Sequence, residues 1–168
     1  MYPVKLGFEG AKERINKLLE NNHYAESLVT SVFTAEKTVR RTLRQLIVSS
    51  GFKSTIANKI ISRLSGIYQL VEAWEIYDPQ HRKLTKIVKS NDIEIIKLAA
   101  QKRNKLIHGE QVFKLELCKE ETLKVIRALD NIKNCFDEEY GYSGWTNIST
   151  RKISMLHKDP KIKETIKI

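Results

Sequence analysis

The sequence predicts an all-α protein: a bundle of about five helices followed by a basic C-terminal tail. Apolar residues recur at three- and four-residue steps through most of the 168 residues, without the sustained two-residue alternation that is typical of strands. Chain-breaking residues are few, with 7 Gly and 3 Pro, and they mostly stand between the periodic segments. A chain of this length buries about 70% of the surface that its unfolded form exposes, which is enough for one stable domain.

The first three helices are expected over 9–20, 25–48 and 55–76. Gly51 marks the end of the second, because glycine is common just past a helix terminus. Asp78-Pro79 ends the third. The second helix carries the longest apolar stripe of helical spacing, formed by Leu28, Val32, Ala35, Val39, Leu43, Leu46 and Ile47.

The fourth helix is expected over 92–108 and the fifth over 120–138. Asn91 is the predicted N-cap of the fourth helix, and Glu94 three residues later completes a capping-box spacing. Gly109 supplies the stop signal. The core-facing residues expected on the fifth helix are Leu123, Ile126, Leu129, Ile132 and Phe136.

The composition changes after Gly144, which divides the chain into a helical domain over 1–144 and a basic extension over 145–168. From residue 146 onward the chain has six Lys or Arg against two Asp or Glu, with weak periodicity. We expect either a mobile tail or a segment that a partner orders. Trp145, beside this extension, is expected to be open enough to stack on a nucleic-acid base, whereas Trp74 continues a helical apolar register and is expected in the core.

Several classes of protein are excluded by composition. The apolar stretches are only a few residues long, so no segment is expected to span a membrane. The N-terminal residues carry no apolar core of a signal peptide, and none is expected. Cys118 and Cys135 lie in a helical pattern and are expected as reduced thiols in a cytoplasmic protein.

Charge favours nucleic acid among the possible partners. The chain has 30 Lys and Arg against 20 Asp and Glu, a net charge of +10 and a pI near 9.6. Four histidines and two distant cysteines show no metal-ligand spacing, and no glycine-rich phosphate loop is present. An enzyme with this sequence is therefore expected to use neither a metal nor a nucleotide cofactor.

The residues with the clearest chemical character lie at the end of the fourth helix. Arg103 offers a planar charge suited to phosphate oxygens, and His108 is suited to proton transfer near neutral pH. Asn104 and His108 are four residues apart and share a helix face, so the amide could hold the imidazole ring or a phosphate. Arg103 and His108 lie about 140° apart around the helix, which suits two walls of one groove.

Two observations bear on how this segment is interpreted. An Arg followed by a His four to six residues later occurs again at Arg151 and His157, but there no Asn follows the arginine and Pro160 lies close behind. The alternative interpretation of Arg103 and His108 is structural, with a surface arginine and a histidine placed where the helix dipole favours a cation.

The segment RNKLIHG, late in an all-α domain of this size, resembles the signature of HEPN domains. That signature is Arg, a polar residue, a short spacer and His, matched here by Arg103, Asn104 and His108, with Gly109 as a frequent follower. The resemblance covers about residues 9–140. It implies a metal-independent endoribonuclease that acts as a homodimer, in toxin–antitoxin, abortive-infection or other antiviral systems.

An additional acidic-basic motif occurs on an earlier long helix in some HEPN groups, and Glu36, Arg40 and Arg41 look similar to it. The alternative is a solvated helix face with an i,i+4 ion pair. Lys102 and Lys105 beside the Arg103 motif are weaker candidates for binding RNA. His23 and His81 are expected to be surface loop residues.

Three functions remain open on the sequence. In the first, an endoribonuclease, a dimer supplies two His108 side chains as base and acid, or Arg103 orients the phosphate while one His108 does most of the work. The second is a non-catalytic HEPN module that binds RNA or a nucleotide as the partner of another protein, such as an antitoxin or a defence protein. The third, a basic helical DNA-binding protein, has no recognition-helix signature to support it.

Overall fold

The structure is a computed structural model that describes residues 7–88 and 91–156. Within them the chain is helical, with seven helices: α1 (Phe8–Glu20), α2 (Tyr24–Ser49), α3 (Ser54–Ser62), α4 (Gly66–Tyr77), α5 (Leu84–Ile87), α6 (Asp92–Ile107) and α7 (Leu115–Tyr140). The prediction of an all-α fold is therefore confirmed. The count of about five helices is wrong, because one predicted helix is two and a short one was missed.

The predicted third helix over 55–76 breaks between α3 and α4. Arg40 of α2 caps the break: its guanidinium donates to the carbonyls of Ile61 (3.0 Å) and Leu64 (2.9 Å), which a continuous helix would use itself. Gly66 then starts α4 with φ +70°, a conformation that glycine adopts without strain.

Helix α2 is the centre of the fold and packs against α1, α3, α4, α6 and α7. All seven apolar residues that its spacing predicted to be in the core are buried. The same helix also buries five hydroxyl side chains, each of which donates to a carbonyl three or four residues earlier in α2. These small, internally satisfied residues are Ser27, Ser31, Thr34, Thr38 and Thr42.

Helix α7 lies along both α2 and α6, and it is longer than the predicted 120–138. Leu129, Ile132 and Phe136 are buried as expected, but Leu123 is 42% exposed, so its core assignment is wrong. Trp74 is fully buried, with its ring stacked on Phe136 at 5.0 Å. None of the helices in the described residues is both long and apolar enough to cross a bilayer.

The described part of the C-terminal extension, residues 145–156, is held against the bundle by the chain itself. Ser54 and Arg151 exchange two hydrogen bonds, 2.8 Å from the Ser54 amide to the Arg151 carbonyl and 2.7 Å from the Arg151 amide to the Ser54 hydroxyl. The Met155 amide donates to the Gly51 carbonyl at 2.8 Å. The expectation of a mobile or partner-ordered tail is therefore wrong for these residues, because backbone groups between α2 and α3 pair with them.

The expectation that Trp145 is open enough to stack on a base is also wrong. It is half-buried, its indole Nε1 donates to the Thr38 hydroxyl at 2.9 Å, and its ring meets Phe8 edge-on at 5.5 Å. Gly144 allows this close approach, because a Cβ there would lie 2.8 Å from the Cβ of Arg41.

Candidate functional site

The end of α6 is a tightly closed helix terminus that presents His108. Gly109 has φ +66°, and its amide donates to the Leu106 carbonyl at 3.3 Å, while the Glu110 amide donates to the Lys105 carbonyl at 2.9 Å. These two bonds form the Schellman arrangement that commonly ends helices. His108 is therefore the capping residue of α6, with its backbone fixed and its side chain exposed.

Arg103 is fixed from two sides. Its two terminal nitrogens donate to the carboxylate of Glu36 on α2, at 2.9 and 3.2 Å, and its Nε donates to the Asn104 side-chain oxygen at 2.9 Å. The side chains of Arg103 and Glu36 are each only 13% exposed. The structure thus brings together three of the candidate residues, and it connects the motif on α6 to the acidic residue on α2.

Arg103 keeps hydrogen-bonding capacity in this arrangement. A guanidinium carries five N–H donors, and the bonds to Glu36 and Asn104 use three of them. Two of its N–H donors have no partner among the described residues. Asn104 and His108 lie on the exposed face of α6, as their four-residue spacing predicts.

The two lysines of the motif differ in their surroundings. Lys102 points to α7, where its Nζ lies 3.0 Å from a carboxylate oxygen of Glu121, whose other oxygen accepts from Lys124 at 2.9 Å. Burial would raise the pKa of Glu121, but the hydrogen bonds and charges of these lysines outweigh it and lower that pKa. The charge of Lys102 is therefore offset by the carboxylate of Glu121, whereas the Lys105 side chain is exposed to solvent.

The basic part of the motif on α2 is used elsewhere in the fold. Arg40 caps α3, as described above, and Arg41 donates to the Gly144 carbonyl at 3.1 Å. Their recorded hydrogen bonds are to these backbone carbonyls rather than to the Glu36–Arg103 pair. Of the three residues of that motif, Glu36 alone joins the site.

A groove between α1 and α2 contains residues that the sequence analysis did not single out. Two shallow depressions between α1 and α2 share Arg14 and Thr30, and one of them reaches Leu106 on the last turn of α6. The other contains Lys37 and Phe33, whose ring is 59% exposed. Burial, and then the charge of Arg41, lower the pKa of Lys37.

Phe33 could have been found from the sequence. It falls outside the register of Val32, Ala35 and Val39, so a large aromatic side chain had to lie off the buried face of α2. Arg14 and Lys37 carried no such signal, because nothing local distinguishes them from other surface cations. The groove thus combines positive charge with an exposed aromatic ring, and it reaches Leu106, three residues after Arg103.

The remaining histidines fall in different places. His23 is exposed at the start of α2, the end of the bundle where α6 finishes, since Ala25 and Glu26 share a depression with Leu106. His81 lies in the loop after α4 and its Nδ1 is 3.0 Å from the Glu75 carbonyl. His157 of the second Arg-to-His pattern is outside the described residues.

Cys118 and Cys135 are free thiols, buried and half-buried, and burial raises the pKa of both. Over residues 7–88 and 91–156, no three His, Cys, Asp or Glu side chains are grouped in a way that could hold a metal ion. No protein-family model matches the chain, and neither the curated proteins nor the solved structures include one with significant similarity to it.

Proposed function

We propose that this chain is a metal-independent endoribonuclease of the HEPN type that acts as a homodimer, in the role of a toxin or an antiviral effector. The observation that carries the proposal is the Glu36–Arg103–Asn104 arrangement beside the exposed His108. The bidentate carboxylate of Glu36 and the amide of Asn104 fix the plane of the Arg103 guanidinium before any ligand binds. The fixed plane is what recognition of a phosphate requires.

The chemistry that these groups can supply is transphosphorylation. A base removes the proton from the 2′-hydroxyl, the 2′-oxygen attacks the phosphorus, and the bond from phosphorus to the 5′-oxygen breaks. An acid protonates the departing 5′-oxygen, which leaves a 2′,3′-cyclic phosphate and a 5′-hydroxyl. His108 is the base or the acid, and an unused N–H donor of Arg103 stabilises the negative charge on a phosphoryl oxygen.

The groove between α1 and α2 supplies a path for the RNA strand. Arg14 and Lys37 attract the phosphate backbone, and the exposed ring of Phe33 can stack on a base. Lys105 adds an exposed charge one turn from His108.

A non-catalytic RNA-binding module is the second candidate, and one observation favours it. The guanidinium of Arg103 already has a carboxylate partner, so part of its charge is neutralised before any ligand binds. In this alternative Arg103 and Glu36 tie α6 to α2, and the groove alone binds RNA.

The test is incubation of the purified protein with single-stranded RNA and total tRNA in EDTA, followed by mapping of the product ends. We expect a 2′,3′-cyclic phosphate and a 5′-hydroxyl. His108→Ala and Arg103→Ala should each slow cleavage by at least about 10²-fold, the lower end for a positioned acid–base group. Activity abolished by EDTA, or products with a 5′-phosphate, would contradict the mechanism. RNA binding without cleavage would establish the second candidate instead.

Two controls separate catalysis from folding. His81→Ala removes an imidazole near the end of α4, away from α6, and should cleave at the parent rate. The double variant Arg103→Ala/Glu36→Ala removes both members of the ion pair, so no carboxylate is left unpaired in the fold. A folded double variant that cleaves RNA normally would show that the pair is structural.

The homodimer has its own test. One chain offers one His108, and a two-fold dimer offers a second. Among the described residues, His23 is a second exposed imidazole at this end of the bundle. Light scattering at micromolar concentration should show a dimer, and His23→Ala should retain activity. A monomer that cleaves at full rate would exclude the composite site.

A further inference from the structure

A second polar cluster lies where α2 packs against α3 and the C-terminal extension. Among the described residues, four buried side-chain polar atoms have no hydrogen-bond partner, and all four belong to this region. Buried polar groups in folded proteins are nearly always paired, so such a concentration needs a physical explanation. The atoms are Arg44 Nη1, Gln45 Oε1, Tyr142 OH and Arg151 Nε.

Helix α3 anchors the two arginines one turn apart. Arg44 donates from its Nε to the side-chain oxygen of Asn58 at 2.6 Å. Ser54, four residues earlier on the same face of α3, holds the backbone of Arg151 through the two hydrogen bonds described above. The guanidinium of Arg44 and the backbone of Arg151 are thus held by the same helix, and each side chain keeps a buried donor unused.

Tyr142 adds a third donor. Its phenol is near enough to Arg41 and Arg44 for their charges to act on it, yet burial is the larger effect and raises its pKa. The hydroxyl therefore stays protonated and can donate. Tyr142 and Gln45 also line one cavity, together with Ser49 and Ser149.

The charge of this region is not balanced by the protein. Arg41, Arg44 and Arg151 form no salt bridge with any described residue, whereas the cavity wall contains one carboxylate, Glu139, which is bound to Arg82 at 3.1 Å. Positive groups with unused, partly buried donors favour an anion as the missing partner.

We propose that this cluster binds a tetrahedral oxyanion, the phosphoryl group of a small molecule, through Arg44, Tyr142 and Arg151. Arg44 on α2, Tyr142 after α7 and Arg151 in the extension each offer a buried donor without a partner, and a phosphoryl group has three terminal oxygens that can accept from them. Bound there, the anion joins the extension to the bundle. The cluster is separate from the RNA site, because Arg44 lies eight residues after Glu36, about 12 Å along α2.

The test is isothermal titration of the full chain with inorganic phosphate, and in a second arm with ribose 5-phosphate, at constant ionic strength in chloride. We expect saturable binding to one site per chain. Tyr142→Phe and Arg151→Gln should each weaken it about tenfold or more, since each removes a hydrogen bond to a charged group. Tighter binding of ribose 5-phosphate would show that the phosphoryl group belongs to a larger ligand, and equal binding would point to the free anion.

Lys152→Gln is the matched control, because it removes the same charge from the neighbouring, exposed position. Its binding of phosphate should match that of the parent chain. The proposal is overturned if the parent shows no saturable binding, or if Lys152→Gln weakens binding as much as Arg151→Gln. Tyr142→Phe removes a single oxygen, so it keeps the test valid if Arg151→Gln does not fold.

Discussion

The buried carboxylate of Asp78 should make the stability of this fold depend on pH in the acid range. Its side chain is fully buried and accepts hydrogen bonds from the amides of Gln80 and Arg82, the Arg82 guanidinium, and the Tyr140 hydroxyl at 2.6 Å. Burial alone would raise the pKa of Asp78, but these donors outweigh it and lower the pKa from 3.8 to about 2. The perturbation we choose is Asp78→Asn, which keeps the shape and removes the charge.

The magnitude follows from the difference between the folded and unfolded pKa. A lowering from 3.8 to about 2 corresponds to about 2 kcal/mol of folding free energy, at 1.36 kcal/mol per pH unit. Because the folded pKa is the lower one, this stability is fully present above about pH 4 and is lost as the pH falls toward 2. Asp78→Asn should therefore be less stable than the parent by about 2 kcal/mol at pH 7 and by much less at pH 2.

Urea unfolding followed by far-UV circular dichroism at pH 7, 5, 3 and 2 measures this difference. Comparing the two proteins at each pH cancels the titration of all the other carboxylates. Asp137→Asn is the control, since that side chain is 41% exposed and pairs with Lys133 on the surface of α7. A difference between Asp78→Asn and the parent that is the same at every pH, or absent at pH 7, would refute the reasoning.

Three further outcomes are expected. A double-mutant cycle of Glu36→Gln and Arg103→Gln, measured by urea unfolding, should give a coupling free energy of about 1 kcal/mol or more. If the stability losses of the two single variants simply add in the double variant, the bidentate pair does not stabilise the fold. Gly109→Ala should lower the free energy of unfolding by about 1 kcal/mol, because the backbone there has a φ of +66°. Gly7→Ala is the control: Gly7 lies in extended backbone with open space around it, so the free energy of unfolding should change by less than about 0.5 kcal/mol. Gly144→Ala should lower the stability of the fold more than Gly109→Ala, because its φ is +87° and the new Cβ would lie 2.8 Å from α2. A comparison of the two melting temperatures measures this difference.

The apolar pattern predicted most of the helices because it reports burial along a single helix. The stripe on α2 is buried throughout, and the stop signals at Gly51 and Gly109 lie just past the ends of α2 and α6. The break between α3 and α4 could not be predicted in this way, because the group that pairs with its free carbonyls is the Arg40 side chain of another helix. Asn91 does occupy the N-cap of α6, but its side chain makes no capping bond, so the predicted capping box is wrong.

In the candidate site, too, local features could be predicted from the sequence and long-range contacts could not. Asn104 and His108 share the exposed face of α6, as a local spacing rule predicts. The Glu36–Arg103 bond joins residues 67 positions apart and depends on the packing of α6 on α2, which periodicity does not describe. Trp145 was misjudged for the same reason, since its hydrogen-bond partner is Thr38, 107 residues earlier.

The contacts of α2 with late parts of the chain have a consequence for the order in which the protein folds. Ser27 meets Thr122 across 95 residues, and Arg41 meets Gly144 across 103, so α2 leaves the ribosome long before its partners exist. Such distant pairings slow folding, and the apolar face of α2 stays exposed to water until they form. The hydroxyls on that face are already bonded within α2, so they can be buried without a new partner when α7 arrives. The α2 helix of a nascent chain can therefore pack against its partners as soon as they are synthesised, and the C-terminal extension packs against it last.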